Sequence, residues 1–212
     1  LLRESANDPS VISIKITIYR MASKAKLVDY LCEAAERGKD VTVIIELRAR
    51  FDELNNIDWS ERLEEAGCTV LYGFEDYKIH SKLCLITRRE HGEIRCISYV
   101  GTGNFNEKTA TLYADSGLFT CNPVIVNDLH NLFRTLQGKE NPVFHRLLVA
   151  RFNLIPELNR LINHEIELTR QGKQGRIILK MNALQDPAMI DRLYEASQAG
   201  VEIDLIVSSK IG

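Results

Sequence analysis

The stretch KIHSK, at 78–82, places His80 two residues before Lys82 at the head of an apolar run. A neutral imidazole is nucleophilic near pH 7, and a phosphoryl group carried on its nitrogen is labile enough to be passed on. A neighbouring ammonium can neutralise phosphate oxygens during such a transfer. Two other segments carry matching parts. GTGNFNEKTA, at 101–110, is glycine-rich: Gly101 and Gly103 permit a tight turn whose N–H groups face an anion, and Asn104, Asn106 and Lys108 add donors. ELRARFDE, at 46–53, sets Arg48 and Arg50 at the end of an apolar, β-branched run, and Arg20 ends an earlier one. Singly, each feature has a plain structural reading: a packed histidine, an ordinary turn, or arginines solvated or paired with Glu46 or Asp52. Together they are the components of nucleophilic attack on phosphorus, with cations arranged on the equatorial oxygens.

These groups need elements to position them. KIHSKLCL, 78–85, reads as a strand, on which alternate side chains share a face. Lys78, His80 and Lys82 then line one face, and Ile79, Leu83 and Leu85 the other. Residues 12–19 alternate as a strand. A helix follows from an N-cap at Ser23, with Leu27, Leu31 and Ala34 on one face and Gly38 as its stop. DVTVIIELRA, 40–49, reads as a strand buried on both sides, which completes a βαβ unit and predicts a parallel or mixed sheet covered by helices. A helix at 57–67, the strand CTVLYG, and a hairpin turning at REHGE continue the pattern. In open sheets of this kind ligands bind beyond the carboxyl ends of the parallel strands, where the arginines fall.

The βαβ pattern recurs. Asp29, Leu31, Glu33, Ala34, Gly38 and Ile44 match Asp191, Leu193, Glu195, Ala196, Gly200 and Ile206 at a constant offset of 162. Two amphipathic βαβ helices can look alike by chance, but the gapless match favours duplication. The stretches 126–139 and 143–173 between the copies read as helical, with the unit boundary near 149–153. His80 plus 162 is position 242, beyond the 212 residues of the chain, so only the first copy of the reactive stretch is expected here.

Composition bounds the alternatives. With 45% hydrophobic and 26% charged residues and a net charge of −2, the chain is globular and lacks general affinity for nucleic acid or anionic membrane. Its five cysteines show neither CxxC nor metal-ligand spacing, which suggests a reducing compartment, with the cytoplasm as the default. No apolar run has the length of a membrane span. The chain starts without an initiator Met and reads as a fragment.

H-x-K followed by G-[ST]-x-N resembles the phospholipase D superfamily, in which two such halves share one site. More closely, IKITIYR, ELRARFDE, KIHSK and GTGNFNEKTA resemble the type 1 polyphosphate kinases. The resemblance implies an α/β fold: a phospholipase D-like mixed sheet flanked by helices, one complete repeat at 1–149 and the start of a second at 150–212. It implies an enzyme, oligomeric with itself, that moves the terminal phosphate of ATP to polyphosphate and back through ADP. It implies Mg²⁺ as cofactor, and a cytoplasmic location with peripheral association at the inner membrane. Carried over by motif, His80 is the phosphorylated histidine and Lys82 its catalytic companion. Arg20 and Arg50 belong to the magnesium–phosphate site, and Tyr113 in TATLY to nucleotide contact. A guanidinium has no acceptor for a metal, so both arginines act through magnesium-bound phosphate. Arg48, Gly103, Asn104, Asn106 and Lys108 complete the phosphate-binding set. The chain departs from the pattern at Thr87, where the superfamily has Asp, at Tyr99, where some relatives carry a second histidine, and at Ser208-Ser209, where an arginine is expected. A phosphodiesterase and a non-catalytic polyanion-binding module are the competing readings. The first needs the Asp missing at Thr87 and a second H-x-K.

Overall fold

The computed structural model describes residues 1–19, 25–46, 53–74, 77–107, 109–138 and 142–211, excluding the side chains of 53–56, 210 and 211. The chain divides into two units, Leu1–Leu147 and Leu148–Gly212.

In the first unit a short helix α1 (Leu2–Asn7) leads to β1 (Val11–Ile18), α2 (Lys26–Glu36), β2 (Asp40–Ile45), α3 (Glu53–Glu65) and β3 (Thr69–Tyr72). The chain then runs back through β4 (Lys82–Glu90), β5 (Glu93–Gly101) and β6 (Gly117–Thr120) before α4 (Pro123–Leu136). The sheet order is β3-β2-β1-β4-β5-β6. β1 pairs in parallel with β2, as β2 does with β3, while β4 lies antiparallel to β1 and β5 antiparallel to both β4 and β6. The sheet is mixed, as the βαβ reading predicted. The turn at His91–Gly92, with φ of 51° and 85°, is the left-handed pair that suits the twist of a two-residue hairpin.

Alternation decides which side chains meet which helices. Ile14, Ile16, Val41, Val43, Cys84 and Ile86 form one core with Val28, Leu31 and Ala34 of α2 and Leu63 of α3. Helix α4 packs on β4 and β5 and buries Leu129 and Phe133. Covered on both sides, β4 is buried from Lys82 through Ile86. Two sequence expectations change here. The strand starts at Lys82, so His80 precedes it, and no polar strand face of Lys78, His80 and Lys82 exists: Lys78 is exposed and Lys82 is 3% exposed. The expected N-cap, Ser23, lies outside the described residues; the cap position of α2 is Ala25, without a side-chain cap bond.

Asp128 of α4 is wholly buried. Its carboxylate accepts the N–H groups of His145, Arg146 and Leu147 at 2.6–3.0 Å, fastening the last residues of the unit to the helix. Residues 143–153, within a stretch expected as helix, have no helical structure: this carboxylate takes the N–H groups of 145–147, and 150–153 form a turn ahead of the next helix.

The second unit comprises α5 (Leu154–Arg170), β7 (Arg176–Leu184), α6 (Pro187–Gln198) and β8 (Glu202–Ile211), with β7 and β8 parallel. Leu193 and Ala196 are buried against the sheet as Leu31 and Ala34 are, and Gly38 and Gly200 end their helices at φ of 81° and 93°. These matched residues are therefore what any βαβ packing and left-handed helix stop require. Ile44 is buried whereas Ile206 is 54% exposed. The first strands differ by one residue in register, since Asp40 pairs with Ser13 but Glu202 with Arg176. The strand-to-helix connections differ more, spanning 19–25 in the first unit and 185–186 in the second.

Removing the Asp128 carboxylate leaves three backbone amides without their acceptor and a cavity at a wholly buried position. Asp128→Ala should cost about 3 kcal/mol in denaturant unfolding, and more than an Asn substitution that keeps one acceptor. A second outcome concerns the thiols. Burial pushes the Cys84 and Cys68 thiols up to about 12, while Cys121 is exposed. Alkylation needs the thiolate, of which such buried groups hold roughly one part in 10⁴ at pH 8. Mass spectrometry of briefly alkylated native protein should find Cys121 modified, with Cys68 and Cys84 reacting only after unfolding.

Candidate active site

The reversal of direction at β4 brings chemistry to one edge of the six-stranded sheet. The parallel strands end there at Ile18, Ile45 and Tyr72, which stand in register. Running the other way, β4 starts there at Lys82, which pairs with Gly101 at the end of β5, and Gly101 pairs in turn with Gly117 at the start of β6. Tyr19, Glu46, His80, Lys82 and the 101–106 loop therefore gather at one rim.

His80 is exposed on the segment entering β4. Its ring meets the Tyr19 ring edge-on, with centroids 4.6 Å apart and planes at 72°. The Lys82 ammonium lies 3.0 Å from Nδ1 and 3.2 Å from Nε2, donates to the His80 carbonyl at 2.5 Å, and stands 5.3 Å from the Tyr19 ring centre. The two ring nitrogens flank one carbon, so a group nearly equidistant from both at this range sits across the ring rather than along either in-plane lone pair. Lys82 thus places its charge beside the imidazole without holding a ring nitrogen head-on. Such an arrangement can neutralise an oxyanion next to an imidazole nitrogen.

Two residues of this rim, Tyr19 and Thr17, are not singled out by the sequence reading, and a third, Glu46, enters it only as an ion-pair partner for the arginines. Tyr19 supplies the ring against His80. Thr17 donates its hydroxyl to the Ser81 carbonyl at 2.7 Å and accepts from the Leu83 N–H at 3.0 Å. Glu46 accepts the Ile79 N–H at 2.9 Å. The available signal was a threonine and a glutamate within or just after runs otherwise built for burial; both are at most 2% exposed. Thr87, by contrast, lies five residues along β4 from Lys82, roughly 16 Å away at strand spacing. An Asp there would not reach His80, so its absence leaves the imidazole's surroundings unchanged.

The glycine loop differs from the expectation. Neither Gly101 nor Gly103 has positive φ. They are glycines because of close neighbours: a Cβ at Gly101 or Gly117 would collide with the Tyr99 ring, and one at Gly103 with the Asp115 carboxylate. Asp115 also accepts the Thr102 hydroxyl at 3.0 Å, closing the loop on itself. Tyr99, where a second histidine was considered, is therefore a packing residue, tilted between Phe105 and Phe119 with centroids 5.6 and 4.8 Å away. Asn104 keeps a buried Oδ1 with no hydrogen-bond partner among the described residues. Asn106 turns inward to a 3₁₀ turn, its Oδ1 accepting the Thr109 N–H at 3.2 Å. Tyr113, just after that turn, is 67% exposed. Arg20, Arg48, Arg50 and Lys108 lie outside the described residues.

Among the described residues no group of three or more His, Cys, Asp or Glu could hold a metal ion. The donors gathered here are an ammonium and an imidazole, and the Glu46 carboxylate is bonded to a backbone amide. This set suits magnesium that arrives already bound to phosphates better than a resident ion. No helix of the described residues is long and apolar enough to cross a membrane.

The packing of Tyr99 is testable. Gly101→Ala should destabilise the chain by about 1–3 kcal/mol, as other overpacked sites do. Tyr99→Leu should relieve most of that penalty in the double variant, measured as a coupling in thermal or urea unfolding.

Comparison with known proteins places these features in a family. The sequence matches the family described as Polyphosphate kinase C-terminal domain 1 over residues 1–142, and Polyphosphate kinase C-terminal domain 2 over 147–212. It is 46% identical over 207 residues to a polyphosphate kinase of Staphylococcus haemolyticus, covering 97% of this chain and 29% of that protein. It is 48% identical over 204 residues to one of Thermosynechococcus vestitus, covering 96% of this chain and 28% of that protein. The crystal structure of polyphosphate kinase from Porphyromonas gingivalis superposes with a TM-score of 0.87 at 47% identity, over 97% of this chain and 34% of that one. The chain thus spans about a third of the length of the relatives it matches. The resemblance in the four motifs and the mixed α/β fold agree with these matches, and the chain belongs to the polyphosphate kinase family.

Proposed function

We propose that this chain supplies the phosphoryl-transfer centre of an enzyme that moves the terminal phosphate of ATP to polyphosphate, reversibly, with His80 as the nucleophile. The observation that carries the reading is the Lys82 ammonium, 3% exposed and within 3.2 Å of both imidazole nitrogens, at the rim where the parallel strands end. In the first step a His80 ring nitrogen forms a bond to the γ-phosphorus as the bond from that phosphorus to the bridging oxygen breaks, and ADP leaves with the electron pair. In the second step a terminal oxygen of polyphosphate attacks the phosphorus, the N–P bond breaks, and the polymer grows by one unit. Lys82 lies beside the oxygens that carry the migrating charge. Magnesium, held by the nucleotide and polymer phosphates, lowers their charge when bound. Arg20 and Arg50 grip those phosphates, and Arg48, Lys108 and Asn104 extend the donor set. Tyr113 offers an exposed ring for a nucleobase. The five free cysteines fit a reducing compartment.

The test uses the full-length polypeptide that contains this chain. His80→Ala should reduce polymer synthesis by more than roughly four orders of magnitude and abolish acid-labile, base-stable label from radioactive ATP. Histidine labelling that survives in the variant rules out His80 as nucleophile. The 212-residue chain alone should bind polyphosphate by calorimetry without making polymer. Binding lost with Lys82→Ala and no labelling at any histidine of the full-length enzyme would favour the polyanion-binding reading instead.

A further inference from the structure

His80 stands where the β-ladder has stopped. Pairing of β1 with β4 ends at Ile16 and Cys84, and residues 78–81 have no regular structure. A nucleophile for in-line displacement cannot keep the freedom of an ordinary loop residue, because the reacting atoms must be aligned before attack. Two buried side chains take over from the ladder. Thr17, 1% exposed, bonds the Ser81 carbonyl at 2.7 Å and the Leu83 N–H at 3.0 Å, so its hydroxyl stands in for the missing strand bonds after His80. Glu46, 2% exposed, takes the Ile79 N–H at 2.9 Å, before His80. A carboxylate bonding an amide makes a charge-assisted bond, roughly twice as strong as a neutral one. Its space comes from Gly73, where a Cβ would stand 3.0 Å from Oε2.

We propose that Thr17 and Glu46 are positioning residues for phosphoryl transfer. They fix the backbone on both sides of His80, so that imidazole and Lys82 ammonium face the same phosphorus. The inference rests on His80 being the nucleophile. Thr17 and Glu46 act through the backbone, from the ends of two different parallel strands, and the segment between them lies outside the β-ladder.

The experiment measures the rate of histidine labelling from radioactive ATP by rapid quench in the full-length polypeptide, together with KM for ATP and the amplitude of labelling. Thr17→Val, nearly isosteric, and Glu46→Ala should each slow labelling by about 10- to 100-fold, with KM within about twofold. Glu46→Gln, which retains an acceptor, should fall between Glu46→Ala and the parent, and Thr17→Ser should restore the rate. A purely structural role predicts lower amplitude and melting temperature with an unchanged rate, and that result would overturn the inference. So would a raised KM at constant turnover. A readout independent of activity is the ¹⁵N imidazole spectrum of His80, expected as one set of resonances in the parent and exchange-broadened in Thr17→Val and Glu46→Ala. If His80→Ala still labels, the nucleophile assignment fails while the imidazole spectra still decide whether the two side chains order the ring.

Discussion

The antiparallel insertion of β4 beside β1 is the constraint on which the rim depends. Three parallel strands bring their carboxyl ends to one edge of the sheet. A fourth strand running the same way would have opened at the opposite edge. Because β4 runs back, Lys82 opens it where β1 closes, and the β5 hairpin returns Gly101 to the same line. Over the nine residues of β4 the alternative would have displaced Lys82 by roughly 30 Å. Topology alone therefore decides that His80, Lys82, Tyr19 and the 101–106 loop can meet.

Burying a lysine between two covered faces is unfavourable unless its ammonium finds partners. Here it finds the His80 carbonyl, the imidazole and, more distantly, the Tyr19 ring. The same burial makes the charge effective: away from bulk water an ammonium attracts a phosphate oxygen far more strongly than at an open surface. Stability opposes this burial while the proposed transfer would draw on it, and the contacts with His80 serve both.

Much of this was legible in sequence, and the failures have specific causes. Alternation in IKITIY and the β-branched run at 40–45 revealed β1 and β2, and Gly38 revealed the stop of α2. The strand assigned to 78–81 failed because periodicity does not show where a ladder ends; Thr17 and Glu46 replace its bonds, and side-chain-to-backbone bonds leave no period in sequence. Gly101 and Gly103 read as a turn in sequence because glycine marks both left-handed backbone and close approach, and only the position of Tyr99 and Asp115 separates the two. The offset between the βαβ copies was real in topology. Three of its six identities, however, are demanded by helix-on-sheet packing or by the left-handed helix stop, and the connections that follow β1 and β7 differ in length.

The Tyr99 ring, flanked by glycines at 101 and 117 on two different strands, has a consequence for how this family can vary. The three positions are coupled through one packing contact. A side chain gained at either glycine meets the ring, and a smaller residue at 99 opens a void beside two bare backbones. A single change at any of the three therefore carries a packing cost that a matched second change can relieve, and that coupling ties the start of β6 to the end of β5.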